Sequence, residues 1–178
     1  MLSVGDQAPP LLSDDLDGAP ARWPEPGATS RLLLAFTRPA TSPHGREALS
    51  ELAEAVPRFQ AVNVPIWVVC PSAPSALRGP CLGSGLRLLP DIDGALAATW
   101  GMGRDHLGLL SLRGLLDPQV PLGRALRALG RGGRLGALLH PALPAELLLE
   151  PDGRIRWIHL ACSRWAPPDL AGALAAAR

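Results

Sequence analysis

Residues Arg31–Leu49 read RLLLAFTRPATSPHGREAL, and the fold turns on how this stretch breaks. Leu32-Leu33-Leu34-Ala35-Phe36 is a short unbroken apolar run, the pattern of a strand covered on both faces. Arg38-Pro39-Ala40-Thr41-Ser42-Pro43-His44-Gly45 interrupts it. From Arg46 onward Leu49, Leu52, Ala53, Val56 and Phe59 recur at spacings of three and four, the helical period. A strand, a Pro-rich elbow and a helix start bring backbone N–H groups and the positive end of a helix dipole to one turn. Ser42 or Thr41 is the expected cap of that helix, with Pro43 at its first position.

Working outward, strands and helices alternate. Toward the N-terminus, Val4–Pro10 reads as an extended arm and Leu11-Leu12 as a short strand. Asp14–Gly18 is turn chemistry, and Ala21-Arg22-Trp23 returns as an edge strand. Beyond the helix, which ends near Gln60, Val64–Cys70 is a second buried strand stopped by Pro71. A helix is expected over 75–84, a strand at Leu86–Leu89, a turn at Pro90–Gly94 and a short helix from Ala95 to Trp100. Residues 103–142 form an excursion, with a helix expected over Pro121–Leu129. Glu146–Glu150, the Pro151-Asp152-Gly153 turn and Arg154–Leu160 read as a β-hairpin. Pro168–Ala177 is a closing helix. Such alternation followed by a hairpin predicts an α/β fold with a mixed sheet and helices on both faces, in a single domain over 1–178.

Composition excludes several function classes. The net charge is +1, with 17 basic residues that are all Arg, so no global field attracts nucleic acid or an anionic surface. Arg124, Arg127, Arg131 and Arg134 read as a solvated stripe. Gly130-Arg131-Gly132-Gly133-Arg134 lacks the Lys-Ser/Thr ending of a phosphate loop. No apolar run reaches the ~20 residues of a bilayer span. MLSVGDQAPPLL lacks the basic and apolar regions of a secretory signal, so a cytoplasmic location is expected. Cys70, Cys81 and Cys162 have no metal-ligand spacing, and His106, His140 and His159 are scattered. No metal or cofactor is expected.

With the motifs in place, the chain resembles the peroxiredoxins of the alkyl hydroperoxide reductase and thiol-specific antioxidant type. Val4-Gly5-Asp6-Gln7-Ala8-Pro9 is similar to the family's opening V-G-D-x-A-P, and Asp17-Gly18 to the D-x-G that follows. Phe36-Thr37-Arg38, then Ser42-Pro43-His44-Gly45-Arg46-Glu47, resembles the F-x-R-x-x-x-C-P-x-C-R-E elbow. Leu88–Gly94 with Trp100-Gly101-Met102, and Glu150–Ile155, resemble two later motifs. The resemblance implies a thioredoxin-like fold and reduction of a peroxide or small-thiol substrate. It also implies a thioredoxin-like reductant and a homodimer.

The departures fall on the chemistry. In the family the first elbow cysteine attacks peroxide as a thiolate, its pKa lowered from about 8.5 to roughly 3.5–7.5 by a helix N-terminus. It becomes a sulfenic acid that a second thiol resolves. Here Ser42 and Gly45 stand where the two elbow cysteines would be, and no Arg stands near Pro144-Ala145-Glu146. A serine hydroxyl forms no sulfenic acid. The resemblance makes Ser42 the peroxidatic position, Cys81 the candidate resolving cysteine, and Arg38, Arg46 and Thr41 the elbow's flankers. Two readings stay open. One is a thiol oxidoreductase whose attacking position is held by Ser42, through divergence or an introduced change. The other is a redox-inactive thioredoxin-fold module that binds a protein or ligand. A Ser42–His44 hydrolase pair ranks far behind, lacking an orienting carboxylate.

Overall fold

The computed structural model describes residues 2–81, 83–102, 143–161 and 166–178. The excursion expected over 103–142, with its arginine stripe, His106 and His140, lies outside them.

The apolar run becomes the central strand β3 (Leu32–Phe36), after the hairpin pair β1 (Leu11–Asp14) and β2 (Pro20–Trp23). The elbow then feeds α1 (Pro43–Gln60). β4 (Ile66–Cys70), α2 (Pro74–Cys81), β5 (Arg87–Pro90) and α3 (Ala95–Thr99) follow, then β6 (Ala145–Leu149), β7 (Ile155–Leu160) and a last helix, α4 (Leu170–Ala177). The expected helix over 75–84 starts one residue earlier and ends at Cys81.

The main sheet runs β5-β4-β3-β6-β7, with β3–β4 and β4–β5 parallel and β6 antiparallel to both of its neighbours. Every residue of β3, β4 and β6 is buried, as the unbroken apolar runs require. Successive side chains alternate faces. Leu33, Ala35, Ile66, Val68, Leu88 and Leu148 meet Leu49, Leu52, Val56 and Phe59 of α1, Leu77 of α2 and Ala173 and Ala177 of α4. Leu32, Leu34, Phe36, Trp67, Val69 and Leu147 face the other way, onto Leu11 and Trp23 of the hairpin and onto Trp100. The expected two-sided mixed α/β sheet is therefore observed.

Two of the sequence motifs have structural jobs here. Asp91 carboxylate oxygens accept from Leu96 N and Ala97 N, both at 3.0 Å, which secures the start of α3. Glu150 accepts from Arg31 Nε and from Arg156 at 3.1 Å, and the same two arginines donate to the carbonyls of Ala177 and Ala176. The negative end of α4 is thus held against the sheet. The N-terminal arm closes the hairpin end, with Gly5 N and Ala8 N donating to Ile155 O and Gly153 O.

The Pro151-Asp152-Gly153 turn depends on Gly153, whose φ is +86°. Left-handed backbone costs an L-residue about 1–2 kcal/mol. Gly153→Ala is expected to lower unfolding free energy by at least about 1 kcal/mol in urea titration, without changing the far-UV spectrum.

Candidate functional site

The elbow lies at the C-terminal ends of the parallel strands, where α/β folds gather ligands. Ser42 has extended backbone (φ −88°, ψ 149°) and is the N-cap of α1. Its hydroxyl donates to Pro39 O at 2.7 Å and accepts from Gly45 N at 3.0 Å. Its own N–H also donates to Pro39 O, at 2.8 Å. The side chain thus bonds backbone as both donor and acceptor, and the residue is only 1% exposed. Of the two expected caps, Ser42 is the one used. Thr41 beside it is exposed.

Gly45 makes this closure possible. A Cβ there would overlap the Pro39 carbonyl and stand 2.8 Å from Arg38 O. No side chain, including a second thiol, fits at position 45 on this backbone.

Around the cap lies a small buried polar layer. Ser72 Oγ accepts from Ala40 N at 2.9 Å, and Thr37 Oγ1 donates to Val69 O at 3.4 Å. Cys70 Sγ donates to Arg38 O at 3.3 Å, and burial pushes its thiol above the ordinary value. Cys70 is therefore a core thiol, as expected. Arg38 is 2% exposed and has partners of its own, whereas Arg46 is exposed. The two arginines flank the elbow in sequence but sit in different environments. His44 Nδ1 lies 3.6 Å from Glu47, one helical turn on. The Ser42 proton goes to a carbonyl, not to this imidazole, so no Ser–His relay forms. The side chain of Cys81 and the whole of Cys162 lie outside the described residues. Among the described residues no cluster fit to hold a metal occurs.

One pair escaped the sequence reading. Glu146, on β6 beside the elbow end of β3, accepts from His159 Nδ1 on β7 at 2.7 Å. The hydrogen bond to Glu146, opposed by partial burial and aided by Asp169, raises the His159 pKa above its ordinary value.

With this geometry in hand, comparison with known proteins is informative at the level of fold. The chain superposes on peroxidoxin BcpB from Mycobacterium tuberculosis with a TM-score of 0.67 at 17% identity, covering 99% of this chain and 97% of that one. The chain has the thioredoxin-like fold of the peroxiredoxins. Peroxiredoxin Q of Xanthomonas campestris gives a TM-score of 0.63 at 17% identity over 94% and 89% of the two chains. A thiol peroxidase from Chromobacterium violaceum gives 0.64 at 13% identity over 96% and 83%. No protein-family model matches the sequence, and no curated protein matches it. The likeness is one of fold.

Two outcomes are expected. Ser42→Ala removes the cap and should cost about 1–2 kcal/mol in denaturant titration; Gly45→Ala should cost more, because the clash is with backbone. For His159 the folded pKa is raised, so its pairing stabilises the protein below the unfolded value of about 6.5 and is lost as pH rises through the folded value. Unfolding free energy should therefore fall across that window, and His159→Gln should flatten the dependence.

Proposed function

We propose that this chain is a peroxiredoxin-fold protein that does not carry out peroxide chemistry at its elbow and instead acts as a redox-inactive module binding a protein or small ligand. The state of Ser42 carries this reading: a residue that is 1% exposed, with its hydroxyl donating to Pro39 O and accepting from Gly45 N. A peroxide-attacking group must meet its substrate, lose its proton and then accept oxygen. Ser42 offers neither access nor a polarisable sulfur, and no helix dipole turns a serine into an alkoxide at neutral pH.

Position 45 has no room for a second elbow thiol, and Cys70 is buried with a raised pKa. A thioredoxin-like or glutathione reductant, as in the yeast mitochondrial peroxiredoxin that is among the similar folds, therefore has no sulfenic acid at residue 42 to resolve. Binding surfaces are available. Among the described residues β7 is the outer strand of the sheet, and the N-terminal arm meets it at Ile155. The backbone edge beyond that point suits strand addition by a second copy or another protein. The working location is the cytoplasm.

The test is peroxide consumption by the reduced chain, with hydrogen peroxide or an organic hydroperoxide and a thioredoxin or dithiothreitol reductant. The expected rate is that of the reductant alone. Catalytic turnover that vanishes in Cys81→Ser or Cys162→Ser would overturn the proposal and make the chain a peroxidase with a relocated thiol.

A further inference from the structure

At the elbow end of the sheet, but on other residues, the fold carries a pair whose chemistry position 42 does not use. Glu146 stands between Ala35 of β3 and His159 of β7 in the strand register, on the face that also carries Leu33 and Leu148. Its side chain is 3% exposed. Burying a carboxylate among aliphatic groups is unfavourable unless it is paired, and an apolar pair of the same size would fill the space without that cost.

The pairing fixes the state of the imidazole. A carboxylate only accepts, so with Glu146 Oε2 at 2.7 Å the neutral ring carries its proton on Nδ1. The lone pair is then on Nε2, across the ring from the buried carboxylate. Trp157, two residues back on the same strand, stacks on the ring with centroids 6.2 Å apart and planes 29° apart. Among the described residues the ring makes no other hydrogen bond, and the side chain is 31% exposed. Asp169 is the other charged group acting on it, from the N-cap of α4, where its carboxylate is occupied by Gly172 N at 2.9 Å. A ring held in one tautomer and orientation, partly exposed and with its Nε2 unshared among the described residues, is the arrangement that nucleophilic histidines require.

We propose that His159 Nε2 is a nucleophile toward small activated acyl esters, with Glu146 as its positioning residue. The Nε2 lone pair forms a bond to the acyl carbon, and the alkoxide or phenoxide leaves with its bonding electrons. The resulting acyl-imidazolium is positive, and the buried Glu146 carboxylate stabilises that charge at short range. Water then adds to the acyl carbon and gives up one proton to the released alkoxide or phenoxide or to solvent, the C–Nε2 bond breaks with its electron pair returning to nitrogen, and the carboxylic acid departs, leaving the neutral imidazole. No oxidant, metal or thiol takes part, and nothing in the cycle depends on residue 42.

The experiment is release of p-nitrophenolate from p-nitrophenyl acetate by the full chain, followed across pH and compared with free imidazole at equal histidine concentration. The native chain is expected to exceed His159→Gln by about 100-fold, the lower end of what a positioned imidazole supplies. Its pH–rate midpoint should lie above that of free histidine, and Glu146→Gln should lower both the midpoint and the rate about tenfold. Rapid acid quench and peptide mass spectrometry on the native chain should find the acetyl group on His159, a readout that does not depend on any variant folding. Equal rates for native chain and His159→Gln, an acetyl group on another residue, or a Glu146→Gln profile identical to the native one would each overturn the proposal.

Discussion

The elbow is closed onto its helix by one side chain. Ser42 Oγ bridges the carbonyl of Pro39 and the N–H of Gly45, joining the end of the strand segment to the first turn of an 18-residue helix. The geometry around it follows. Because the helix must start there, Leu49, Leu52, Val56 and Phe59 face the sheet. Because the elbow must turn tightly, position 45 has no room for a Cβ. Because the bridge uses the hydroxyl proton and one lone pair and the residue is buried, a substrate has no access to what remains. A serine so placed is a structural residue, the cap on which the strand-to-helix elbow closes.

Much of the fold was legible because its signals are local. The apolar runs at Leu32–Phe36 and Val64–Cys70 can only be covered strands, and the three-and-four spacing after Arg46 fixes which face of α1 is buried. The Pro90–Gly94 and Pro151–Gly153 motifs announce turns through Asp and Gly. Asp91 was not readable as the residue that secures α3, since that depends on its carboxylate turning back toward Leu96 and Ala97. The grip of Arg31 and Arg156 on α4 likewise joins residues far apart in the chain, which periodicity does not reveal.

The elbow was legible as a strand-to-helix turn with Ser42 or Thr41 as its cap, while burial and hydrogen bonding decide what Ser42 does. The Glu146–His159 pair was missed for a specific reason. A hairpin folded symmetrically about Asp152 would set Glu146 opposite Ile158. A register shift between Leu148 and Leu149 moves every pair beyond it by one, so Leu148 meets Trp157 and Glu146 meets His159. A bulge of this kind re-aims side chains without leaving a mark in the alternation of apolar residues. A single histidine anchored by a carboxylate also carries no metal-ligand spacing that a sequence would display.

The central claim is that position 42 is closed to solvent and serves as a cap. Its most direct test places a reporter sulfur there: Ser42→Cys, treated with iodoacetamide near neutral pH, with labelling of residue 42 followed by peptide mass spectrometry. A buried cap predicts that the thiol stays unlabelled in the folded chain and reacts only once denaturant opens the elbow. Rapid labelling under native conditions would contradict the account and restore the elbow as an open reactive site.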